Sequence, residues 1–286
     1  MASVRQIARR IRSVENTAKI TKAMSMIAAS KLRRTQDAAT QGRSYADSMS
    51  EMVSNVMSQA QDDELSQPLA EPREITNVGL VLITPDRGLT GGLNSNVLRA
   101  VGDFIGLQPV PVKVVALGKK GIDYARRSGL ELIGQLSGIS DRPTSSDTLP
   151  ISKSIIDAFI NGQVDSIHVA YAEFVNTTMQ RPTVIQLAPV VPPEISKVDN
   201  QGYIFEPNAN EVLTELLPRY IETLIHHAVL EASASEQSAR MVAMNQATDN
   251  ANEMVEDLTL LMNKLRQETI TKELLDIVGG VAAIEN

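Results

Sequence analysis

Apolar positions near both ends of the chain recur every three or four residues, while those in the middle come in short continuous runs. At the N-terminal end Val4, Ile7, Ile11, Val14, Ala18, Thr21, Ser25, Ala28 and Leu32 follow the alternating spacing of a coiled-coil seam. Residues 3–58 contain no Pro and only one Gly, Gly42, so the pattern predicts one long helix. The seam starts aliphatic and turns small or polar at Thr21 and Ser25, where loose or irregular packing is expected. Gln61 to Glu64, followed by Pro68 and Pro72, breaks the helix. From about Asn208 the helical period returns, with Asn208 or Asn210 as cap and Pro218 marking a late start or a kink. Its seam reads Ile221, Leu224, Ala228, a small-residue stretch around Ala232, Ala234 and Ala239, then Ala247, Ala251, Met254, Leu258, Leu261 and Leu265. It continues to Leu274 and Val278, where Gly279-Gly280 is expected to end it.

Residues 75–191 behave differently. The runs 78–83, 112–117, 167–171 and 183–190 read as buried strands, and 93–106, 119–128 and 150–161 have helical spacing. That alternation predicts a small, mostly parallel sheet, closed by Pro189, Pro192 and Pro193 and followed by a polar linker near Lys197 to Gly202. At ~1.5 Å per residue, a helix of roughly 60 residues spans about 90 Å, more than a small α/β domain. Two seams without another partner in the chain are expected to pair with each other. The expected fold is α/β: a long antiparallel coiled coil of N- and C-terminal helices plus a small central Rossmann-like α/β domain. Its parts are residues 1–58, 74–195 and 208–286.

Composition supports long helices over a thick globular core, since aromatics are 3% of the chain and Trp is absent. No Cys is present, which excludes disulfides, thiolate metal sites and a Cys nucleophile. No apolar stretch reaches the ~20 residues of a bilayer span. The Arg-rich start runs straight into helical periodicity and lacks an apolar secretory segment, so a cytoplasmic protein is expected. The net charge of −7 conceals an asymmetry: residues 1–34 carry nine Lys/Arg against Glu15 alone. A basic segment on an acidic chain points to an acidic partner surface, in another subunit or in nucleic acid; a solvated basic face is the alternative. Residues 1–34 have no aromatic side chain, which counts against base stacking.

The segment PDRGLTGGLN, residues 85–94, joins a strand signal to a helix signal, as phosphate-binding loops do. A P-loop needs a Lys and a hydroxyl after its second glycine, but Leu93 and Asn94 follow Gly91-Gly92 here. The spacing of Gly88, Gly91 and Gly92 also misses the dinucleotide fingerprint. The loop is expected to be a tight turn whose glycines supply permissive dihedrals and close helix–strand packing. Weak anion binding at the helix N-terminus is the alternative. Asp86 and Arg87 are expected to hold the loop by local hydrogen bonds. His168 falls in a strand, and the adjacent His226 and His227 point apart on a helix, which speaks against a shared metal.

NTAKITKAMSMIAASKLRR (16–34), TPDRGLTGGLN (84–94) and ARMVAMNQATDNA (239–251) resemble the signature segments of the gamma subunit of the F-type ATP synthase. LRQETITKELLDIVGGVAA (265–283) resembles that family's C-terminal helix. The resemblance implies a non-catalytic rotor shaft, or central stalk, that couples proton-driven rotation of a c-ring to ATP synthesis or hydrolysis on beta subunits. Implied partners are the alternating alpha and beta subunits, the epsilon subunit and the c-ring, with no cofactor of its own and no nucleic acid. It would lie peripherally on the cytoplasmic face of a bacterial inner, or thylakoid-type, membrane. Lys22 and Met24 match the family's shaft face toward beta. So do Arg240, Arg266, Gln267 and Thr271, while Tyr203, Glu206 and Pro207 in GYIFEP resemble the foot near the c-ring. Two positions depart from the family: Thr90 stands where Cys is frequent, and Asn245 where many members have Lys. A nucleotide-binding α/β enzyme using the glycine loop and a plain coiled-coil scaffold are the competing readings.

Overall fold

The computed structural model describes residues 4–59, 67–191, 206 and 208–284. Element order is α1 (Val4–Gln59), β1 (Val78–Ile83), α2 (Leu93–Leu107), β2 (Val112–Leu117), α3 (Lys119–Arg127), β3 (Glu131–Leu136), α4 (Ser145–Ile160), β4 (Ser166–Phe174), β5 (Gln180–Ala188) and α5 (Ala209–Ile284). The chain divides into two compact units, Ala28–Arg240 and Met1–Ile27 with Met241–Asn286, so each unit takes part of α1 and part of α5.

In the larger unit five strands form one sheet in the order β3-β2-β1-β4-β5, parallel except for the antiparallel β4–β5 hairpin. β1 lies at the centre and all six of its residues are buried, which is why its sequence, VGLVLI, is an unbroken apolar run. Its side chains alternate between two cores. Leu80 and Leu82 join Val97 and Val101 of α2 and Ile122 and Ala125 of α3 on one face. Val81 and Ile83 join Ile155 and Phe159 of α4 on the other, with Leu217, Ile221 and Ile225 of α5 and Val53 and Val56 of α1. The long helices thus complete the covering layer on one side of the sheet.

β3 was not expected from the sequence. It is an edge strand, ELIGQL, with a polar residue at each exposed position and Gly134 pressed against Ser154 and Val115. α4 begins at Ser145 rather than near 150, because Thr144 and Asp147 form a reciprocal capping box before any apolar period starts. α5 begins at Ala209. The Glu211 N–H donates to Asn208 Oδ1 at 2.8 Å, so Asn208 is the cap, and the helix passes through Pro218 without ending. Leu217 and Ile221, both fully buried, hold that stretch in place.

In the smaller unit α1 and α5 pair antiparallel. Thr21 and Thr248 share a hydrogen bond of 2.6 Å, and the Ser25 hydroxyl donates to Asn245 Oδ1 at 2.5 Å. The small polar stretch of the seam is therefore bridged by hydrogen bonds between side chains. Ile7, Ala18, Thr21 and Ser25 are buried on α1, as their spacing predicts. On α5 Met244, Ala251 and Leu258 are buried, and Ala247, Thr248, Val255, Met262 and Leu265 are among the half-buried positions. Met254 and Leu261, expected in the seam, are 49% and 46% exposed. Apolar side chains occupy both Met254–Val255 and Leu261–Met262, so hydrophobicity alone did not select the inward one.

Candidate functional site

The glycine loop follows β1, where an α/β sheet would hold a phosphate, and its Asp86 side chain reaches across to the start of the neighbouring helix α3. Asp86 Oδ1 accepts the N–H of Lys119, the first residue of α3, at 2.8 Å, and Oδ2 accepts the N–H of Gly138 at 2.7 Å. A carboxylate of the chain thus satisfies the amide an anion would seek. The Gly121 N–H donates to Thr84 Oγ1 at 2.7 Å, closing the same turn from below. Arg87 is exposed.

Only one of the three loop glycines adopts a left-handed backbone, Gly91 with φ 55°; the other left-handed residue is Leu89, φ 62° and 61% exposed. A Cβ on Gly88 would meet nothing within 4 Å. The close approach expected of these glycines occurs instead at Gly118, whose φ is 91° and whose Cβ would fall 1.8 Å from the Thr84 carbonyl oxygen. At the start of α2, Asn94 donates to Thr90 Oγ1 at 3.3 Å, and Asn94 Oδ1 is buried without a partner among the described residues.

The three histidines lie apart in role. His168 packs against Phe104 with ring centroids 4.9 Å apart, and burial pushes its pKa down. Thr148 Oγ1 lies 3.3 Å from His226 Nδ1, while His227 Nε2 is 3.6 Å from Glu231. Burial is the main cause lowering the pKa of both. Among the described residues no group of three His, Cys, Asp or Glu side chains is placed to hold a metal ion.

A polar stripe of α5, from Glu231 to Arg240, grips the ends of the strands. The Glu231 carboxylate is 1% exposed; Oε1 accepts from the Arg43 guanidinium at 2.5 Å and Oε2 from the Phe174 N–H at 2.8 Å. Two turns on, the Ser238 hydroxyl donates to the Thr177 carbonyl at 2.6 Å and accepts from Gln180 Nε2 at 3.3 Å. Arg240 follows, with its side chain 12% exposed. It donates to Glu236 at 2.7 Å and to the Gly88 carbonyl at 3.5 Å. The β4–β5 hairpin adds its own pair, Arg181 on Glu173, which holds the Glu173 carboxyl below its usual range. Burial, with the Glu231 and Glu173 carboxylates nearby, pushes the Tyr171 phenol up to about 12.

Of the residues singled out in the sequence, Lys22, Arg266, Gln267 and Thr271 are exposed and Met24 is half-buried. Arg240 faces inward and ties the glycine loop to α5. Glu206 is exposed, and Tyr203 and Pro207 lie outside the described residues. Glu231 was missed, although an acid among Ala228, Val229, Leu230, Ala232 and Ala234 was a legible sign of a buried charge. Extending the Thr21–Thr248 register at equal rise brings Val4 opposite the turn at Leu265. Every described side chain beyond it, 266–278, is exposed, including Ile270, Leu274, Leu275, Ile277 and Val278.

The ATP synthase family model matches residues 3–284. The ATP synthase gamma chain of Dehalococcoides mccartyi is 49% identical over 284 residues, covering 99% of this chain and all of the relative. That of Desulfitobacterium hafniense is 44% identical over the full length of both. Among solved structures, a chain of the Euglena gracilis mitochondrial ATP synthase OSCP/F1/c-ring aligns with TM-score 0.67 at 18% identity, covering 98% of this chain and 94% of that one. A chain of the Tetrahymena thermophila mitochondrial ATP synthase central stalk/c-ring gives 0.60 at 24% identity, covering 80% and 99%.

Proposed function

The chain belongs to the ATP synthase gamma-chain family, and on that premise we infer that it is the central-stalk rotor subunit of a rotary ATP synthase. It is a stalk component and not a catalytic subunit: ATP is made or hydrolysed on beta subunits, and this chain relates their states to rotation of the c-ring. No described helix is long and apolar enough to cross a membrane, in keeping with a peripheral place reached through the c-ring. We assign it to the cytoplasmic face.

The observation that carries the reading is the overrun of α5. A helix whose residues 266–278 are all exposed, five of them large and apolar, has a surface that another protein must cover. A sleeve of alternating alpha and beta subunits is the occupant that family membership supplies. Arg266, Gln267 and Thr271 lie on this overrun, and Lys22 and Met24 on α1, as its contacts. Contacts made by exposed side chains on a helix surface are shallow, so each can be broken and remade as the shaft turns. Coupling is then a population shift: the faces of the shaft differ, and each biases the beta subunit before it toward one nucleotide affinity. Tyr203 and Glu206 are assigned to the foot near the c-ring, and epsilon packs beside the α/β domain.

The test is reconstitution of the purified chain with alpha and beta subunits, following complex formation and ATP hydrolysis together. A single copy of the chain per hexamer, with activity that depends on it, is the expected result. A chain that stays free and binds nucleotide at micromolar concentration in a calorimetric titration would overturn the reading in favour of an α/β enzyme.

A further inference from the structure

We propose that Glu231 is a positioning residue for rotary coupling: with Arg43 and the Phe174 N–H it forms a clasp that keys both long helices to the sheet, so that torque crosses between them without slip. The inference rests on the rotor reading.

The argument starts from what surrounds the carboxylate. Where α1 and α5 meet near it, the packing is made by Ala39, Leu230 and Ala234. Gly42 is so close that a Cβ there would meet Leu230 Cδ1 at 2.9 Å. Apolar contacts of this kind are non-directional and set no unique alignment of one helix on the other. Charge-assisted hydrogen bonds are short and directional, so they resist displacement that such packing permits. The two oxygens of Glu231 reach two elements other than its own. One is bound to Arg43 on α1 and the other to the backbone of Phe174 at the end of β4, so displacement of α1, α5 or the β4–β5 hairpin strains at least one bond.

The backbone donor gives the contact its particular character, since the Phe174 N–H is fixed to the sheet and has no rotamer with which to follow a moving helix. Its neighbour Glu173 is bound by Arg181 Nε and Nη2, at 2.9 and 3.1 Å, and by the Thr183 hydroxyl, which stiffens the hairpin that carries Phe174. A buried carboxylate is costly unless its oxygens are satisfied, so a site lacking a positional demand would be better filled by an apolar side chain. The companion tie, Ser238 to Thr177 and Gln180, grips the same hairpin from the same helix, but with neutral partners.

Glu231→Gln is the discriminating variant. An amide has one acceptor oxygen, whereas the Arg43 guanidinium and the Phe174 N–H are both donors, so one of these two bonds is lost while volume is kept; His227 Nε2, at 3.6 Å, lies beyond hydrogen-bond distance. The assembled synthase in sealed vesicles is compared with its parent for ATP hydrolysis and for proton uptake per ATP hydrolysed. At equal amounts of assembled complex we expect hydrolysis by the detached alpha–beta–gamma complex to stay within about twofold, and proton uptake per ATP to fall at least threefold. Arg43→Gln, whose side chain is 53% exposed, provides the second variant should Glu231→Gln fail to fold. A fall in the same direction is expected, with Arg43→Lys recovering at least half of it. A merely structural role would lower the yield or melting temperature of the complex and leave the ratio untouched. Parental ratios in Glu231→Gln, or in Arg43→Gln where the first does not fold, overturn the clasp alone. A parent chain that neither assembles nor supports pumping overturns the rotor reading and the inference with it.

Discussion

The Ser25 hydroxyl donates to Asn245 Oδ1 across the α1–α5 seam at 2.5 Å, and one turn away Thr21 meets Thr248 at 2.6 Å. Asn245 is one of the two places where this chain departs from the family it resembled in sequence, many members having Lys there. Its amide oxygen supplies an acceptor that a lysine ammonium lacks, so here the position serves the pairing of the two helices.

Asn245→Lys is therefore expected to cost on the order of 1 kcal/mol, the usual net worth of one hydrogen bond. Faster amide exchange around residues 21–28 in the variant, with unchanged exchange in β1 and β2, checks it. Identical protection in parent and variant would contradict the bond's role.

Truncation after Gln267 removes helix whose described side chains are all exposed. The melting temperature of the isolated chain is expected to shift by no more than a degree or two, since surface changes are usually within about 0.5 kcal/mol. Assembly with alpha and beta subunits is expected to weaken. A collapse of stability would show that residues 268–284 are buried within the chain's own fold.

Asp86→Ala removes the acceptor of two backbone N–H groups, those of Lys119 and Gly138. Because the site is half-open to solvent, we expect a loss of about 1–2 kcal/mol, read as a shift in the urea midpoint without a change in slope. The vacated amide is not expected to recruit nucleotide, since the loop still lacks the Lys and hydroxyl of a P-loop.

Stability is expected to fall with acidification well before the carboxylates titrate. His168, His226 and His227 all have their pKa depressed in the folded chain, chiefly by burial. The unfolded chain therefore binds protons first. The histidine contribution is present above the ordinary value of about 6.5 and is lost as pH drops from there toward the folded values. Asp165 and Glu173 are also depressed, by the Thr76 hydroxyl and by Arg181, so their contribution is lost only lower, through the carboxylate range. His168→Leu flattens the fall in melting temperature between about pH 7 and 5. Equal slopes in variant and parent would refute the assignment to His168.

Much of this architecture was legible in local pattern. Strands β1 and β2 match their apolar runs residue for residue, and the α1 spacing named the buried face from Ile7 to Leu32, because side-chain period follows directly from backbone geometry. The signature segments likewise named the family that the comparisons then gave. β3 was invisible because an edge strand buries little and needs no apolar run. The inward choice between Met254 and Val255 was invisible for a different reason: both are apolar, and the pairing register set by Thr21–Thr248 and Ser25–Asn245 decides it.

The sequence by itself determined the long helices and the strands that carry apolar runs, since period, caps and turn residues act over a few positions. Tertiary structure alone decided what those segments hold. Arg43 and Glu231 are 188 residues apart, Arg240 and Gly88 152, and Asp86 and Gly138 52. No local spacing encodes such pairs. They exist because packing one sheet between two cores brings polar groups together in places where leaving any of them unpaired would cost more than the bond itself is worth.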